Sequence, residues 1–142
     1  MPIQTDEVEF FGHPMVRSAH RTTIEVTRDP RLTINGDCII GVRADKGLSD
    51  LSMGLREALR TEGSRVTFSI EVPDHVFGFQ AFGTDSLTLE STHEMVIRKS
   101  DYVCGRTLAV RAGVAAKDIP RALVQTLRSH ETRGLLRIEV HT

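Results

Sequence analysis

Residues 42–72, VRADKGLSDLSMGLREALRTEGSRVTFSIEV, lie over residues 110–140, VRAGVAAKDIPRALVQTLRSHETRGLLRIEV, at a constant shift of 68, and 11 of the 31 pairs are identical. Val42-Arg43-Ala44 falls on Val110-Arg111-Ala112, Leu59-Arg60 on Leu127-Arg128, and Ile70-Glu71-Val72 on Ile138-Glu139-Val140. Unrelated segments of ordinary composition would share roughly two positions. The register is that of an ancient duplication. It predicts one domain over residues 1–142, with pseudo-twofold halves at about 6–72 and 75–141.

Working outward, Val66, Phe68, Ile70 and Val72 alternate with polar residues, as Leu136, Ile138 and Val140 do in the partner segment. That period of two marks half-buried strands. A helix precedes each. Leu48, Leu51, Leu55, Ala58 and Leu59 form one apolar stripe, with Ser49 as its N-cap and Gly63 as its stop. Ile119, Leu123 and Leu127 form the other, with Asp118 as cap and Pro120 in the first turn. Upstream, Phe11-Gly12 matches Phe82-Gly83, and His20 with Ile24 matches His93 with Ile97. Each half therefore reads strand, strand, strand, helix, strand: about 6–12, 19–27, 37–44, 48–62 and 65–72, then 75–83, 87–99, 105–112, 117–129 and 134–141. Val72-Pro73-Asp74-His75 is the turn between them. The expected fold is mainly β with two helices (α+β), a two-sheet sandwich or flattened barrel whose helices cover the open ends.

A chain of 142 residues is long enough to bury about two-thirds of its unfolded surface in one core. Lys and Arg number 18 against 19 Asp and Glu, so no global field attracts nucleic acid or an anionic membrane. Six Phe, one Tyr and no Trp are few for a base-stacking platform. The opening MPIQTDEVEF has no basic region followed by an apolar stretch, and no apolar run approaches the ~20 residues of a spanning helix. A cytoplasmic location is expected, with Cys38 and Cys104 as free thiols. Homo-oligomerisation is left open.

Three polar clusters stand out. Between Gly12 and Glu25 lie His13, Arg17 and His20; if 19–27 is a strand, His20 and Thr22 share the core face with Ile24 and Val26. His93 would likewise share a face with Met95 and Ile97. Two inward-leaning histidines at symmetric positions fit a hydrogen-bonded pair at the core edge, or a pocket near the axis with a histidine as acid/base. The second cluster is Arg98-Lys99-Ser100-Asp101, then Tyr102, Cys104, Arg106 and Thr107. Its cations and hydroxyl can fork onto phosphate or carboxylate oxygens, or simply be a solvated turn. Gly105 favours the site reading, because glycine lets backbone approach a ligand. Third comes Asn35-Gly36-Asp37-Cys38, a tight-turn signal in which Asp37 can satisfy turn amides and Cys38 reads as a buried, inert thiol. No cysteine or histidine pair has the CxxC or HExxH spacing of a metal site, and no Walker loop, dinucleotide motif or nucleophile elbow is present.

FFGHPMVRSAHRTTIEVTRD, LTINGDCIIGVRADKG and MVIRKSDYVCGRTLAVRAGVAAKDIPRAL together resemble a small, mainly archaeal family, domain of unknown function 371. The three blocks cover well over half the chain, in order and with similar spacing. The resemblance implies a stand-alone cytoplasmic protein with a largely β, sandwich-like fold and no established activity. The family pattern falls on Gly12, His13, Arg17, His20, Thr23, Glu25, Gly36, Asp37, Cys38, Asp45, Arg98, Lys99, Ser100, Asp101, Arg106 and Thr107. Met15 and Ala19 stand where the family more often carries Asn and Thr.

The leading functional expectation is a site for a small phosphorylated or carboxylated ligand, binding or catalytic. Arg17, Arg98, Lys99, Ser100 and Arg106 would hold the anion, His13 or His20 would move a proton, and Glu25 or Asp37 would orient the histidine. Two alternatives compete: a non-catalytic module docking RNA or protein through exposed sheet edges, and a metal-dependent hydrolase using His13, His20 and a carboxylate. Neither the ligand nor a cofactor can be read from the residues.

Overall fold

The computed structural model describes residues 3–33 and 35–142. In chain order come β1 (Ile3–Phe11), β2 (Thr23–Thr27), β3 (Ile39–Gly41), α1 (Met53–Leu59), β4 (Arg65–Val72), β5 (His75–Phe82), β6 (Glu94–Arg98), β7 (Thr107–Ala109), α2 (Arg121–Thr126) and β8 (Arg133–His141). A single 3-10 turn, Leu48–Asp50 or Ala116–Asp118, precedes each helix.

The strands form two four-stranded sheets. The first has the order β1-β8-β4-β5 and is antiparallel throughout. The second has the order β3-β2-β6-β7, an antiparallel central pair flanked on each side by a parallel strand. Alternation places Val66, Phe68, Ile70 and Val72 of β4 in the core beside Leu136, Ile138 and Val140 of β8. Leu55, Ala58 and Leu59 of α1 and Leu123 and Val124 of α2 complete it. The fold is therefore mainly β with two helices, as the pattern predicts. It is a sandwich rather than a closed barrel: each side is joined by an isolated bridge, Phe11 with Val42 and Phe82 with Val110, with N–H to O distances of 2.8–2.9 Å. Among the described residues no helix is long and apolar enough to cross a membrane.

Local details differ from the expected bounds. Segments 19–27 and 87–99 are extended only over Thr23–Thr27 and Glu94–Arg98. Upstream of each strand the chain turns through a left-handed residue, Ser18 (φ 49°) and Leu89 (φ 51°). Ser52, not Ser49, caps α1, its side chain accepting from the Leu55 N–H. Asp118 bonds the Ala115 N–H of the 3-10 turn, and Pro120 stands at the N-cap of α2.

The same features recur at two shifts. Arg43 and Arg111 share φ 52° and place their guanidinium groups 4.3 and 5.0 Å over Phe11 and Phe82. Gly12 and Gly83, 71 residues apart, each sit against a helix-end carbonyl, Leu127 O and Leu59 O; an added Cβ would come within 2.2 Å of either. The shift falls from 71 to 68 because the β2–β3 connection, residues 28–38, is longer than the β6–β7 connection, residues 99–106. Gly12→Ala and Gly83→Ala must both push backbone aside, and each should cost about 1–3 kcal/mol in urea unfolding. Gly113→Ala, whose Cβ would meet open space, should stay within about 0.5 kcal/mol.

Candidate functional site: the polar face of the second sheet

β2 is buried along its whole length, but its two faces differ. Ile24 and Val26 enter the core, whereas Thr23, Glu25 and Thr27 point to the outer face of the sheet and are still nine-tenths or more buried. Glu25 pairs with Val96 of β6, and these two residues are also counterparts under the 71-residue shift. The carboxylate thus lies at the centre of the sheet, where a pseudo-twofold axis would pass.

Strand pairing brings the other groups to it. The Glu25 N–H donates to the Cys38 carbonyl beside β3, and the Val96 N–H to the Arg106 carbonyl beside β7. The register across the sheet sets Ile39, Glu25, Val96 and Thr107 side by side, with Cys38 and Arg106 one residue before the two flanking partners. The Cys38 thiol donates to Glu25 Oε1 at 3.6 Å. One step along the strands, Thr23 pairs with Arg98. Arg98 Nε donates to Thr107 Oγ1 at 2.9 Å and its Nη2 to Cys104 Sγ at 3.3 Å, while its guanidinium lies 4.9 Å from the Tyr102 ring. Arg106 lies in the electrostatic reach of both Glu25 and Cys104.

The electrostatics follow from burial and these partners. Burial raises the Glu25 carboxyl above the ordinary carboxylate range, against the opposing pull of Arg106 and the Cys38 thiol. Burial also raises the Cys38 thiol, to about 11, and the adjacent Glu25 charge adds to the effect. Cys104 goes the other way. Burial pushes its thiol up, but the Arg106 N–H, the Thr107 hydroxyl and Arg98 donate to the sulfur and bring it down to about 7.

Four of the expected site residues, His20, Glu25, Arg98 and Arg106, therefore share one face, though His20 is not the inward strand residue its spacing suggests. It lies in the loop before β2, where Nδ1 accepts the Thr22 and Thr23 N–H groups at 3.1 and 3.2 Å and approaches Thr23 Oγ1 at 3.0 Å. Its counterpart is Ser91, whose Oγ accepts the His93 and Glu94 N–H groups at 3.2 and 3.1 Å. His93 itself is exposed. The symmetric histidine pair is thus replaced by a loop cap that a histidine makes in one half and a serine in the other. Since Nδ1 is occupied as an acceptor, only Nε2 of His20 is left for a ligand.

The remaining expected residues lie elsewhere. His13 packs edge-on against His130 at 4.9 Å, and its Nδ1 accepts the Met15 N–H. Burial, then the neighbouring His130, lowers its pKa. Arg17 lines a separate groove with Arg121 and Arg128 along α2. Asp37 acts through its carbonyl, which accepts the Ala19 and His20 N–H groups. Ser100 Oγ accepts the Tyr102 N–H, and Lys99 lies in the electrostatic reach of Asp118. Gly105 lies beside the Glu90 side chain, whose Oε1 would be 2.8 Å from an added Cβ. Among the described residues no three His, Cys, Asp or Glu side chains converge as a metal site would need. Cys104 and Thr107, members of the second cluster to which the sequence reading gave no role, hold Arg98 in place, and the segment Cys104-Gly105-Arg106-Thr107 is closed by a Thr107 N–H to Cys104 O turn bond.

The sequence profile of one family, described as domain of unknown function 371, matches residues 8–141. The chain belongs to that family. A relative from Methanocaldococcus jannaschii, itself described as uncharacterised, is 41% identical over 117 residues, covering 82% of this chain and 86% of the relative. The matched span contains every member of the polar face, so these residues are the family's own segment and not an appended extension.

A carboxyl whose folded pKa lies above its unfolded one stabilises the fold below the unfolded value and loses that contribution as pH rises through the folded value. The stability of the protein relative to its Glu25→Gln variant should therefore be greatest near pH 4 and decline towards pH 7, as read by urea unfolding at both. A pH-independent difference would show that the Glu25 carboxyl is not shifted.

Proposed function

We propose that the polar face of the second sheet binds a small anionic ligand, phosphorylated or carboxylated, with Arg98 and Arg106 as its anion-holding pair. One observation carries this reading: the Arg98 guanidinium is fixed in plane by Thr107 and Cys104 before any ligand arrives, beside an exposed Arg106. A guanidinium already immobilised loses little freedom on binding, and its fork matches two oxygens of a phosphate or carboxylate. Tyr102, 61% exposed, adds an aromatic surface at the lip. Lys99 and Ser100 belong to the adjoining turn, where Lys99 supplies longer-range attraction and the Ser100 Oγ accepts the Tyr102 N–H. In this reading Glu25 is the group able to hold or release a proton near the ligand, because its burial favours the neutral form. His20 contributes through Nε2.

RNA docking draws no comparable support. On the outer face of the first sheet Arg137 pairs with Glu7 and Glu71, and Arg133 with Glu9, so the charges there are mutually compensated instead of forming a basic stripe.

Titration with inorganic pyrophosphate and with citrate, followed by calorimetry and by the arginine Nε–H resonances, tests the proposal. Binding should move the Arg98 and Arg106 signals, and Arg98→Ala or Arg106→Ala should each weaken it by about tenfold or more, the scale of a lost charge-assisted hydrogen bond. Equal affinity in the double variant would sink the assignment.

A further inference from the structure

The two edges of the first sheet are counterparts in the repeat, yet their closure differs. On β1 the Asp45 N–H donates to Glu9 O at 2.9 Å, and the Asp45 carboxylate accepts the Glu9 N–H at 3.0 Å. Lys46 Nζ donates to Glu7 O at 2.8 Å, and Asp6 Oδ1 accepts the Glu7 N–H at 2.8 Å. The 71-residue shift carries Glu7 and Glu9 to Gly78 and Gln80 of β5, and the 68-residue shift carries Asp45 and Lys46 to Gly113 and Val114. The Gly113 N–H still donates to Gln80 O, at 3.1 Å, so the backbone follows the same path. The side chains differ: glycine has no carboxylate and valine no ammonium. Phe82 exchanges both its backbone bonds with Val110, so alternation turns the N–H and C=O of Val76 and Gly78 away from β4 as well. Among the described residues these groups have no partner. The strand His75–Phe82 also lacks the Lys, Asp, Glu or Pro that usually protects an edge. Val76 on it is 68% exposed and Phe77 half-buried.

We propose that β5 is a self-association edge, pairing antiparallel with β5 of a second copy about a twofold axis at Phe77. In that register the N–H and C=O of Val76 meet the C=O and N–H of the partner's Gly78, and the converse, so every open group of the two residues is used. The partner strand leaves for its own turn at Pro73-Asp74 level with Gln80, where Gly113 begins to cover the edge. Phe77 meets its own copy on the core face as a close pair without hydrogen bonds between them, and Val76 lies over the partner's Gly78, which has no side chain to oppose it. Charge selects a second copy as the occupant. Twofold pairing sets a strand's net charge against itself, which the charge-free β5 tolerates and β1, with Asp6, Glu7 and Glu9, would not. The product joins two four-stranded sheets into one continuous sheet. The polar face belongs to the other sheet, so this association does not rest on anion binding.

Sedimentation equilibrium of the intact protein from about 1 to 500 µM, with amide exchange followed by NMR over the same range, tests this. The expected result is a reversible dimer dissociating at about 1–100 µM, the scale of a small interface, with exchange of the Val76 and Gly78 amides slowing as the dimer forms. Gly113→Asp combined with Val114→Lys restores to the β5 edge the side chains that close β1, and should weaken association by about tenfold or more. Val76→Lys, at an exposed position, should do the same and serves if the double variant is unfolded. A wild-type protein that stays monomeric throughout would leave the edge to a strand of another protein and overturn the proposal. So would a dimer that persists undiminished in the folded variants, or one in which the Val76 and Gly78 amides exchange as fast as in the monomer.

Discussion

Every strand pairing in the first sheet joins residues from opposite halves of the chain. β1 pairs with β8, β8 with β4, and β4 with β5, so neither residues 6–72 nor 75–141 contain a single pairing of that sheet on their own. The helices are exchanged in the same sense: Gly12 and His13 sit on the end of α2, while Gly83 and Thr84 sit on the end of α1. This reciprocal dependence holds the second sheet in place, because β3 and β7 are only three residues long and reach the first sheet through isolated bridges. The polar face is therefore built on short strands whose position is set from outside.

That arrangement concentrates charge at small cost in exposed surface. The Glu25 carboxyl, buried to nine-tenths, is partly compensated by Arg106, Arg98 and the Cys38 thiol proton, and the Arg98 guanidinium is in turn held by a hydroxyl and a sulfur. The two halves contribute unlike parts. β2 and its flanking loop bring Glu25, Cys38 and His20, whereas β6 and β7 bring Arg98, Cys104, Arg106 and Thr107. The face thus has an acidic side and a basic side.

Much of the architecture was legible because alternation and the 68-residue register are local, additive signals. β4 and β8 fall within a residue or two of their expected bounds, and the hairpin at Pro73-Asp74 stands where the turn residues place it. The upstream correspondence was not legible in the same way. His20 and His93 look alike by type, but equivalence is decided by which side chain accepts the N–H groups at the start of β2 or β6, and serine does this as well as histidine. Packing hides likeness too. The Phe10 ring fills a slot left by Gly41 and Gly134, and the counterpart positions carry Ala81, Ala109 and Val66, so similar space is filled by a different division of volume. For the site, pattern reading located both charged segments but could not show that β2 and β6 are neighbours. His13 and Arg17 were grouped with His20 by proximity along the chain, whereas the turn at Ser18 sends them to α2.

The register of β8 has a consequence for how the chain is made. Ile3 lies opposite His141, and β4 meets the same strand on its other side, so one of the two central strands of the first sheet is synthesised after both of its neighbours. On the ribosome β1 and β4 must wait, their apolar faces uncovered, until Arg133–His141 has left the exit tunnel. With its pairings dominated by distant residues, such a topology folds late and slowly. Until that final strand arrives, the nascent chain exposes its future core and is most dependent on protection from its neighbours.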